Sequence, residues 1–333
     1  MSLLSFLDLV SYLGELILRR VSFVIPCYNC EKTIEAVTTE ISQFAGSHDI
    51  DAQIILVDDG SADGTWKTLQ GLCSKNDRIK AASFSKNFGQ ASAILAGLSM
   101  VSGDYVFCMD DDGQAPVEEI SNFLDKIDEG YDVVFAKYNK VQQNFFRNFT
   151  SRINAWMARV LTEKPRGVET ASFFCMRRYV ADNMIKYDRP YPYISGLIFR
   201  ITHNATNLPA QQRKRKEGRS GYTFKKLLGL WFNGFTSFSI LPLRFATAMG
   251  FFFAAFGIIF AIVTIVRKLL NPAIQAGYSS TIAFLAFLGG IILFCIGEMG
   301  EYIGREYMCT SRKPQYIVRM KAGFEDKNDE VKE

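Results

Sequence analysis

The sequence predicts an α/β fold with a mostly parallel sheet, followed by two membrane-spanning helices. Short apolar segments alternate with helical stretches between residues 21 and 176. Clusters of polar residues come directly after several of these apolar segments. Two long segments near the C-terminus, 245–266 and 269–297, carry no charged residue. A chain of 333 residues is long enough for one large domain with additional elements.

The alternation in the first part of the chain defines its strands and helices. Strands are predicted at 21–25, 53–58, 79–84, 105–109 and 132–136, with a sixth at 172–176. Helices are predicted at 33–44, 64–74, 90–101 and 116–129. Such alternation is typical of a layered α/β fold with a mostly parallel sheet. Because ligands of such sheets bind at the carboxyl ends of the strands, we expect the functional site there.

Residues 1–20 precede the first predicted strand. Their apolar residues fall at helical spacing, with Asp8 and Glu15 between them. The segment begins without positive charge and ends in Arg19-Arg20, unlike a secretory signal peptide. We expect an amphipathic N-terminal helix over 1–20 that lies on the membrane or on a partner subunit. A helix packed on its own domain is the alternative.

The uncharged C-terminal segments predict a two-helix transmembrane anchor over residues 243–305. Each is as long as the roughly 20 apolar residues that cross a bilayer, so spans are predicted at 243–267 and 279–302. The preceding segment 223–242 is rich in Leu and Phe and predicts interfacial helices. Residues 306–333 are expected to form a cytosolic tail.

The basic residues predict how this anchor is oriented. They are frequent before the first span and after the second, whereas the turn between the spans has only Arg267 and Lys268. By the positive-inside rule, both ends of the anchor are cytosolic. We therefore expect a multi-pass protein of the inner, or plasma, membrane with its α/β domain in the cytosol. The net charge of +4 is modest, and no nucleic-acid partner is expected.

The cysteines favour a reducing compartment. There are seven, without the spacing of a disulfide framework. Cys27 and Cys30 form a C-x-x-C motif, which occurs in redox and zinc sites. No second pair provides the four ligands of a structural zinc site, so a metal or redox role for this motif is the weaker interpretation.

Polar clusters at three predicted strand ends carry the candidate chemistry. They are Pro26-Cys27-Tyr28-Asn29, Asp58-Asp59-Gly60-Ser61 and Asp110-Asp111-Asp112-Gly113-Gln114. Adjacent carboxylates repel one another unless a cation lies among them. Mg²⁺ and Mn²⁺ prefer oxygen ligands and share them with phosphates, so the acids predict a metal site for a phosphate compound. A solvated acidic turn is the alternative. The glycine-rich signatures of dinucleotide-binding folds and P-loops do not occur.

These motifs, in this order, resemble family 2 glycosyltransferases with the GT-A fold. Segments 21–29, 55–65 and 109–114 carry the likeness. Segments 85–90, 215–222 and 236–244 resemble further signatures of the polyisoprenyl-phosphate glycosyltransferases, such as dolichol-phosphate mannose synthase and the bacterial undecaprenyl-phosphate sugar transferases. The resemblance extends from about residue 21 to 305 and implies a GT-A nucleotide-sugar-binding, catalytic domain over 21–222.

The resemblance implies a role for each matching residue. The donor-binding residues would be Pro26, Tyr28, Glu31, Asp58, Asp59, Lys86, Asp111, Ser220 and Tyr222, with Asp58 at the base, Asp59 on the ribose side and Lys86 near the phosphates. The metal ligands would be Asp110, Asp112 and Gln114. The catalytic residues would be Asp110, Asp112 and Arg215. Arg215, Ser220 and Tyr222 would face the donor diphosphate or the acceptor phosphate, and a lipid-headgroup contact is the alternative for Arg215.

The implied reaction is inverting transfer of a sugar from a nucleotide sugar, expected to be UDP-linked, to a polyisoprenyl phosphate such as undecaprenyl phosphate. A lipid phosphate is already an anion, so the enzyme needs to orient it and to stabilise the departing diphosphate. Mg²⁺ or Mn²⁺ would be the cofactor, and the assembly would be a homo-oligomer, for which the resemblance suggests a tetramer. The alternatives are extension of a saccharide acceptor and a non-catalytic membrane scaffold.

Two positions depart from the subgroup's pattern. Ser172 stands where an Asp often precedes the strand, and we interpret Glu169, three residues earlier, as its substitute. Lys137 stands where an Arg often follows the strand at 132–136. The contacts to the sugar and to the acceptor are expected to differ accordingly.

Overall fold

The apolar segments of the first part of the chain form one mixed β-sheet. Among the residues that the structure describes, it contains eight strands in the order β7-β5-β6-β4-β1-β2-β3-β8. Their bounds are β1 Arg19–Cys27, β2 Ile50–Asp58, β3 Ile79–Phe84, β4 Tyr105–Cys108, β5 Val133–Tyr138, β6 Phe174–Arg177, β7 Ala205–Ala210 and β8 Val318–Ala322. β1 pairs in parallel with β2 and β4, and β2 pairs in parallel with β3. Antiparallel pairs join β4 to β6, β5 to β6 and β3 to β8.

The structure is a computed structural model. It describes residues 18–138, 165, 167–189, 192–211, 213, 241–271, 277–310 and 314–324. The chain divides into two compact units. The first joins Met1–Tyr222 with Pro314–Glu333, and the second is Thr223–Lys313. The predicted interfacial helices at 223–242 lie almost entirely outside the described residues.

Helices cover both faces of the sheet. They are α1 Ile34–Ser47, α2 Thr65–Lys75, α3 Gln90–Leu98, α4 Ile120–Asp128 after a 3-10 turn at Val117–Glu119, α5 Arg178–Met184 and α6 Ile194–Ile201. Alternate residues of β1 point to opposite faces. Phe23 and Ile25 belong to the core under α1, α2 and α4, whereas Val24 belongs to the core under α3, α5 and α6. The sheet is therefore buried on both sides, as its nearly continuous apolar strands predict.

The six predicted strands are confirmed, with shifted ends. β1 begins at Arg19, so the predicted N-terminal helix over 1–20 is wrong at its end, and residues 1–17 lie outside the described part of the chain. Arg19 contacts Asp125 and Asp128 at 2.9 Å, which holds this end of the strand on α4. Arg20 pairs with Asp104 at 2.9 Å. These ion pairs extend the strand beyond its apolar residues.

The C-terminal tail adds a strand to the sheet, which corrects the predicted division of the chain. β8 pairs with β3 in the register Ala81↔Ala322, Ala82↔Lys321 and Ser83↔Met320. Within the predicted tail, Val318–Ala322 is thus not separate from the α/β domain, because β8 belongs to the first unit. The physical reason is the outer edge of β3, whose backbone groups need hydrogen-bond partners. Alternate residues of β8 are half-buried, as expected for an edge strand with one packed face.

The second unit is a pair of long helices, α7 Leu241–Leu270 and α8 Tyr278–Thr310. Each contains a stretch long and apolar enough to cross a membrane, Ala246–Thr264 with mean hydropathy 2.3 and Phe287–Gly304 with 1.4. Within the pair, the rings of Phe253 and Phe287 lie 5.3 Å apart. Most described side chains of the helices are exposed, and apolar surface of this extent is typical of a helix that contacts lipid or a partner.

Candidate active site

The three polar clusters lie side by side at one edge of the sheet. Because β1, β2 and β4 are parallel, their carboxyl ends meet there. Cys27 and Asp58 are register partners, and the backbone N–H of Asp59 donates to the carbonyl of Cys27 at 2.9 Å. The backbone N–H of Tyr28 donates to Oδ2 of Asp111 at 3.1 Å. These bonds connect the loops after all three strands.

Asp58 is held inside the protein at the end of β2. Its side chain is 2% exposed. One carboxylate oxygen accepts from the backbone N–H of Ser61 at 3.0 Å, and the other accepts from the hydroxyl of Ser83 at 2.7 Å. Asp58 therefore fixes the turn after β2 against β3. Its direct contact with a nucleotide base stays a prediction.

Asp59 holds the loop that follows β3. It is 3% exposed and accepts from the backbone N–H groups of Phe88, at 2.6 Å, and Gly89, at 2.9 Å. Burial raises the pKa of this carboxyl, although the two N–H groups act in the opposite direction. Lys86 belongs to the same loop, and its Nζ lies 5.2 Å from the centroid of the Phe88 ring. These hydrogen bonds therefore hold the loop against the Asp58-Asp59 turn.

The loop after β1 supplies the remaining predicted donor contacts. Pro26 is buried within β1, whereas Tyr28 is 51% exposed at the edge of the site. Glu31 accepts from the backbone N–H of Gly64 at 3.1 Å, just before α2. Asn29 has a positive φ of 52°, in the region that Asn tolerates well. An exposed ring beside a fixed turn fits the predicted contact of Tyr28 with a planar base.

The acids after β4 form a carboxylate cluster. Oδ1 of Asp110 accepts from Nε2 of Gln90 at 2.7 Å, and Oδ1 of Asp112 accepts from the backbone N–H of Gln114 at 3.1 Å. Burial raises the pKa of Asp111, and the adjacent Asp110 and Asp112 raise it further. The same two acids, after burial, contribute to raising the pKa of Tyr138 to about 12.

A divalent cation fits this cluster. Burial is the main cause of the raised pKa values of Asp111 and Tyr138, and the smaller contribution from the negative charges of Asp110 and Asp112 is what a bound cation would neutralise. Carboxylate and amide oxygens are the ligands that Mg²⁺ and Mn²⁺ prefer. The residues predicted as ligands, Asp110, Asp112 and Gln114, are brought together on one short loop after β4.

Arg213 connects the chain after β7 to the acid loop. Nε2 of Gln114 donates to the carbonyl of Arg213 at 3.0 Å, and the N–H of Arg213 donates to the carbonyl of Gln114 at 3.2 Å. The guanidinium of Arg213 forms ion pairs with Glu40 and Glu118. Arg215, Ser220 and Tyr222 follow directly in sequence but lie outside the described residues.

Sequence reasoning missed three of these site residues as participants. They are Gln90, which ends the 85–90 signature and begins a helix, Tyr138, which follows Lys137, and Arg213, which lies in the basic segment before the first span. Their contacts depend on the order of the strands in the sheet, which the sequence alone does not reveal. Lys137, one of the two departures, and Glu169, the residue interpreted as the substitute at the other, are also brought together, with Nζ 3.7 Å from Oε1.

The C-x-x-C motif lies under the acid loop. The sulfurs of Cys27 and Cys30 and a carboxylate oxygen of Asp111 lie within 4.8 Å of one another. Cys27 is fully buried, and burial raises the pKa of its thiol well above the ordinary value. A structural zinc site uses four ligands, and this cluster offers three.

The fold and the acid-lined edge define an α/β protein of the GT-A type. Residues 22–184 match the model for Glycosyl transferase family 2, and residues 241–305 match the GtrB C-terminal hairpin. The chain is 31% identical to the Putative glycosyltransferase CsbB of Bacillus subtilis over 90% of its own length and 91% of the relative's. It therefore belongs to glycosyltransferase family 2.

Another relative has a more specific name. The chain is 30% identical to the Undecaprenyl-phosphate 4-deoxy-4-formamido-L-arabinose transferase of Proteus mirabilis, over 95% of this chain and 98% of that one. Among solved structures, glucosyl-3-phosphoglycerate synthase from Mycobacterium tuberculosis, in complex with Mn²⁺, UDP-glucose and phosphoglyceric acid, matches 67% of this chain and 79% of that one. The TM-score is 0.51 at 17% identity, a likeness that establishes the fold alone.

Proposed function

We propose that the chain transfers a sugar from a nucleotide sugar, UDP-linked, to a polyisoprenyl phosphate at the cytosolic face of the inner membrane. The observation that carries this proposal is the combination, in one chain, of a carboxylate cluster at the sheet edge and two long apolar helices. The names of relatives that span nearly the whole chain support the lipid acceptor.

The donor would bind along the loops after β1, β2, β3 and β4. Tyr28 presents its ring at the edge of the site, and the Asp58-Asp59 turn sets the position of the loop with Lys86. Asp110, Asp112 and Gln114 would hold Mg²⁺ or Mn²⁺. The bound ion supplies Lewis-acid stabilisation of charge on the leaving diphosphate. Asp111 accepts a hydrogen bond from the backbone N–H of Tyr28, which fixes the acid loop relative to the loop proposed to contact the base.

The acceptor needs no protein base, because a phosphate monoester is already an anion at neutral pH. The protein has to place one phosphate oxygen in line with the sugar C1–O bond that breaks. Arg215, Ser220 and Tyr222 are the residues proposed for this task. Arg213, two residues before Arg215, contacts Gln114, Glu40 and Glu118. The segment proposed to bind the acceptor phosphate therefore begins beside the loop that is proposed to hold the metal.

The order of the chain supports a hairpin through the membrane. The first unit contains residues from both sides of the helical unit, since β7 precedes α7 and β8 follows α8 in the same sheet. A chain that leaves and rejoins one domain crosses the bilayer an even number of times. With the basic residues on the flanks of the helices, the domain lies on the cytosolic side and the turn at 271–277 outside.

A label-transfer assay tests this proposal. Purified protein in detergent is given undecaprenyl phosphate, Mn²⁺ or Mg²⁺, and labelled UDP- and GDP-sugars, and the organic extract is counted. We expect label in the extract with a UDP-sugar, and its loss with chelator. Asp112→Asn should lower transfer on the order of 100-fold or more. Asp77→Asn, an exposed acid in the turn before β3, is the matched control and should transfer normally.

Three other outcomes would contradict the proposal in different ways. Unchanged transfer by Asp112→Asn would remove the acid loop from catalysis. Metal-dependent nucleotide binding without label in the lipid would point to a saccharide acceptor. A protein that binds none of the nucleotide sugars would be a membrane scaffold.

A further inference from the structure

The segment after the second membrane helix packs against the loop that borders the donor site. Tyr316 stacks on Phe84, with ring centroids 5.1 Å apart and an interplanar angle of 14°. The backbone carbonyl of Ile317 accepts from the N–H of Ser85 at 3.0 Å. Gln315 anchors the start of the segment, because its Nε2 donates to the carbonyl of Arg189 at 2.7 Å. Tyr316 and Ile317 therefore contact the last residue of β3 and the first residue of the following loop.

The contacts continue from Tyr316 to Asp59. Phe84 meets Phe88 edge-on, with ring centroids 5.6 Å apart. The backbone N–H of Phe88 donates to Asp59 at 2.6 Å, and that of Gly89 at 2.9 Å. Tyr316, Phe84 and Phe88 thus form a continuous row of aromatic rings. The row ends at the amide group that holds a buried carboxylate of the site.

The loop between Phe84 and Gly89 has no buried side chain in its middle. Ser85, Lys86 and Asn87 are exposed, and Gly89 has a φ of 95°. Its ends are held by the Asp59 carboxylate, by the start of α3, where the Gly89 carbonyl accepts from the N–H of Ser92, and by the tail, and its backbone approaches Gly60 closely. A loop with exposed side chains and few buried apolar contacts opens locally at low cost unless neighbours hold it.

We propose that Tyr316 is a positioning residue for the donor site. Its ring supports Phe84 and Phe88 and so keeps loop 85–89 closed on Asp59. The inference rests on the proposed function, in which this loop borders the nucleotide sugar. It adds that the segment after the second long helix, which contains Tyr316, contributes to donor affinity without touching the donor.

The test compares full-length variants in detergent by two measurements. Tyr316→Ala removes the ring, and an aromatic contact of this kind changes an equilibrium between about twofold and tenfold. We expect the Kd for UDP or for the UDP-sugar to rise within that range, while kcat at saturating donor changes little. In hydrogen exchange, the peptide covering residues 85–89 should exchange faster than in the unaltered protein.

Two variants separate positioning from a general loss of structure. Tyr316→Phe keeps the ring and should restore both the affinity and the slow exchange. Arg319→Ala changes an exposed residue of β8 and should alter neither measurement. Unchanged exchange in residues 85–89 of Tyr316→Ala would overturn the inference whatever the nucleotide affinity. A fall in kcat at an unchanged Kd would also overturn it.

Different experimental results would contradict the proposed function and this inference. If no sugar reaches the lipid but Tyr316→Ala still weakens nucleotide binding, the acceptor is wrong and the positioning role stands. If the lipid is glycosylated normally and the Kd is unaffected by Tyr316→Ala, the function stands and the positioning role is wrong.

Discussion

Lys137 and Glu169 form an ion pair, with Nζ 3.7 Å from Oε1, that joins the end of β5 to the loop before β6. Lys137 is one of the two departures from the subgroup's pattern, and Glu169 is the residue interpreted as the substitute for the Asp that Ser172 replaces. The backbone of Glu169 is held as well, since its N–H donates to Oδ1 of Asn207 at 2.7 Å. This contact therefore links the two departures, since it joins Lys137 to the residue interpreted as the substitute at the other position.

This pair is expected to matter for activity more than for stability. Its side chains are 48% and 40% exposed, and such pairs contribute about 0–1 kcal/mol to folding. Lys137→Met and Glu169→Gln should each lower sugar transfer several-fold with little change in the thermal unfolding midpoint, because Lys137 precedes Tyr138 beside the acids. The exchanged pair, Lys137→Glu with Glu169→Lys, should recover part of the loss. Single effects that simply add would show that the two residues act independently.

Gly60→Ala should damage both stability and donor binding. Gly60 has a φ of 68°, and a Cβ there would lie 2.5 Å from the carbonyl carbon of Lys86. The backbone strain alone costs about 1–3 kcal/mol, and relief of the clash would move the loop off Asp59. Denaturant unfolding and nucleotide titration measure the two effects.

Gly71→Ala is the matched control for this change. Gly71 lies within α2, and a Cβ there meets nothing within 4 Å. Its substitution should stabilise the protein by about 0.5–1 kcal/mol and leave nucleotide affinity unchanged. A Gly60→Ala protein as stable as this control would contradict the close approach of the two loops.

Arg213→Ala should weaken acceptor use while sparing donor binding. The substitution removes the ion pairs to Glu40 and Glu118 but keeps the two hydrogen bonds to Gln114, which use the backbone and the Gln114 side chain. Stability should fall on the order of 1 kcal/mol. The KM for the lipid should rise several-fold, because the chain leading to Arg215 is less restrained, and the Kd for the nucleotide should stay the same.

Arg78→Ala serves as the control for Arg213. Arg78 forms an exposed pair with Asp51 at 3.6 Å, away from the strand ends of the site. It should change neither constant. An equal rise in nucleotide Kd and lipid KM for Arg213→Ala would mean that the acid loop itself has moved.

Tyr138 should remain protonated well into the alkaline range in metal-free protein. Burial and then the neighbouring acids raise its pKa to about 12. The folded state thus holds this proton more tightly than the unfolded state, where the pKa is about 10. The contribution of Tyr138 to the free energy of unfolding is complete below about pH 10 and is lost as the pH rises toward about 12.

An absorbance titration measures this shift. The tyrosinate difference between the unaltered protein and Tyr138→Phe should show one group that is still largely neutral at about pH 10.5. In denaturant unfolding, Tyr138→Phe should lose less stability than the unaltered protein over the same rise in pH. A difference curve centred near the ordinary value would show that Tyr138 is not enclosed beside the acids.

The strands next to the site were predictable because their side chains are buried on both faces. Continuous apolar runs marked β1, β2, β3 and β4, and the acids directly after them marked the edge where ligands bind. The structure confirmed this core and the GT-A fold. The predicted roles of single residues, such as Asp58 at the base, stay predictions.

The edges of the sheet were not predictable in the same way. β7 contains Pro209 and is mostly half-exposed, and β8 alternates apolar with charged residues in a short, basic segment. Neither carries the apolar run that marks a central strand, and Pro within a run argues against one. The contacts of Gln90 with Asp110 and of Lys137 with Glu169 depend on strand order, so they too required the structure.

The late position of β8 in the chain sets an order of events in biosynthesis. The ribosome completes β3 long before β8, and the whole helical unit is synthesised between them. During that interval the outer edge of β3 lacks β8, the strand that covers it in the described part of the chain, and an open edge is a template for pairing with other chains. The sheet is therefore complete only after the helical unit has been synthesised. A chain that ends before residue 318 would keep this edge of β3 without β8.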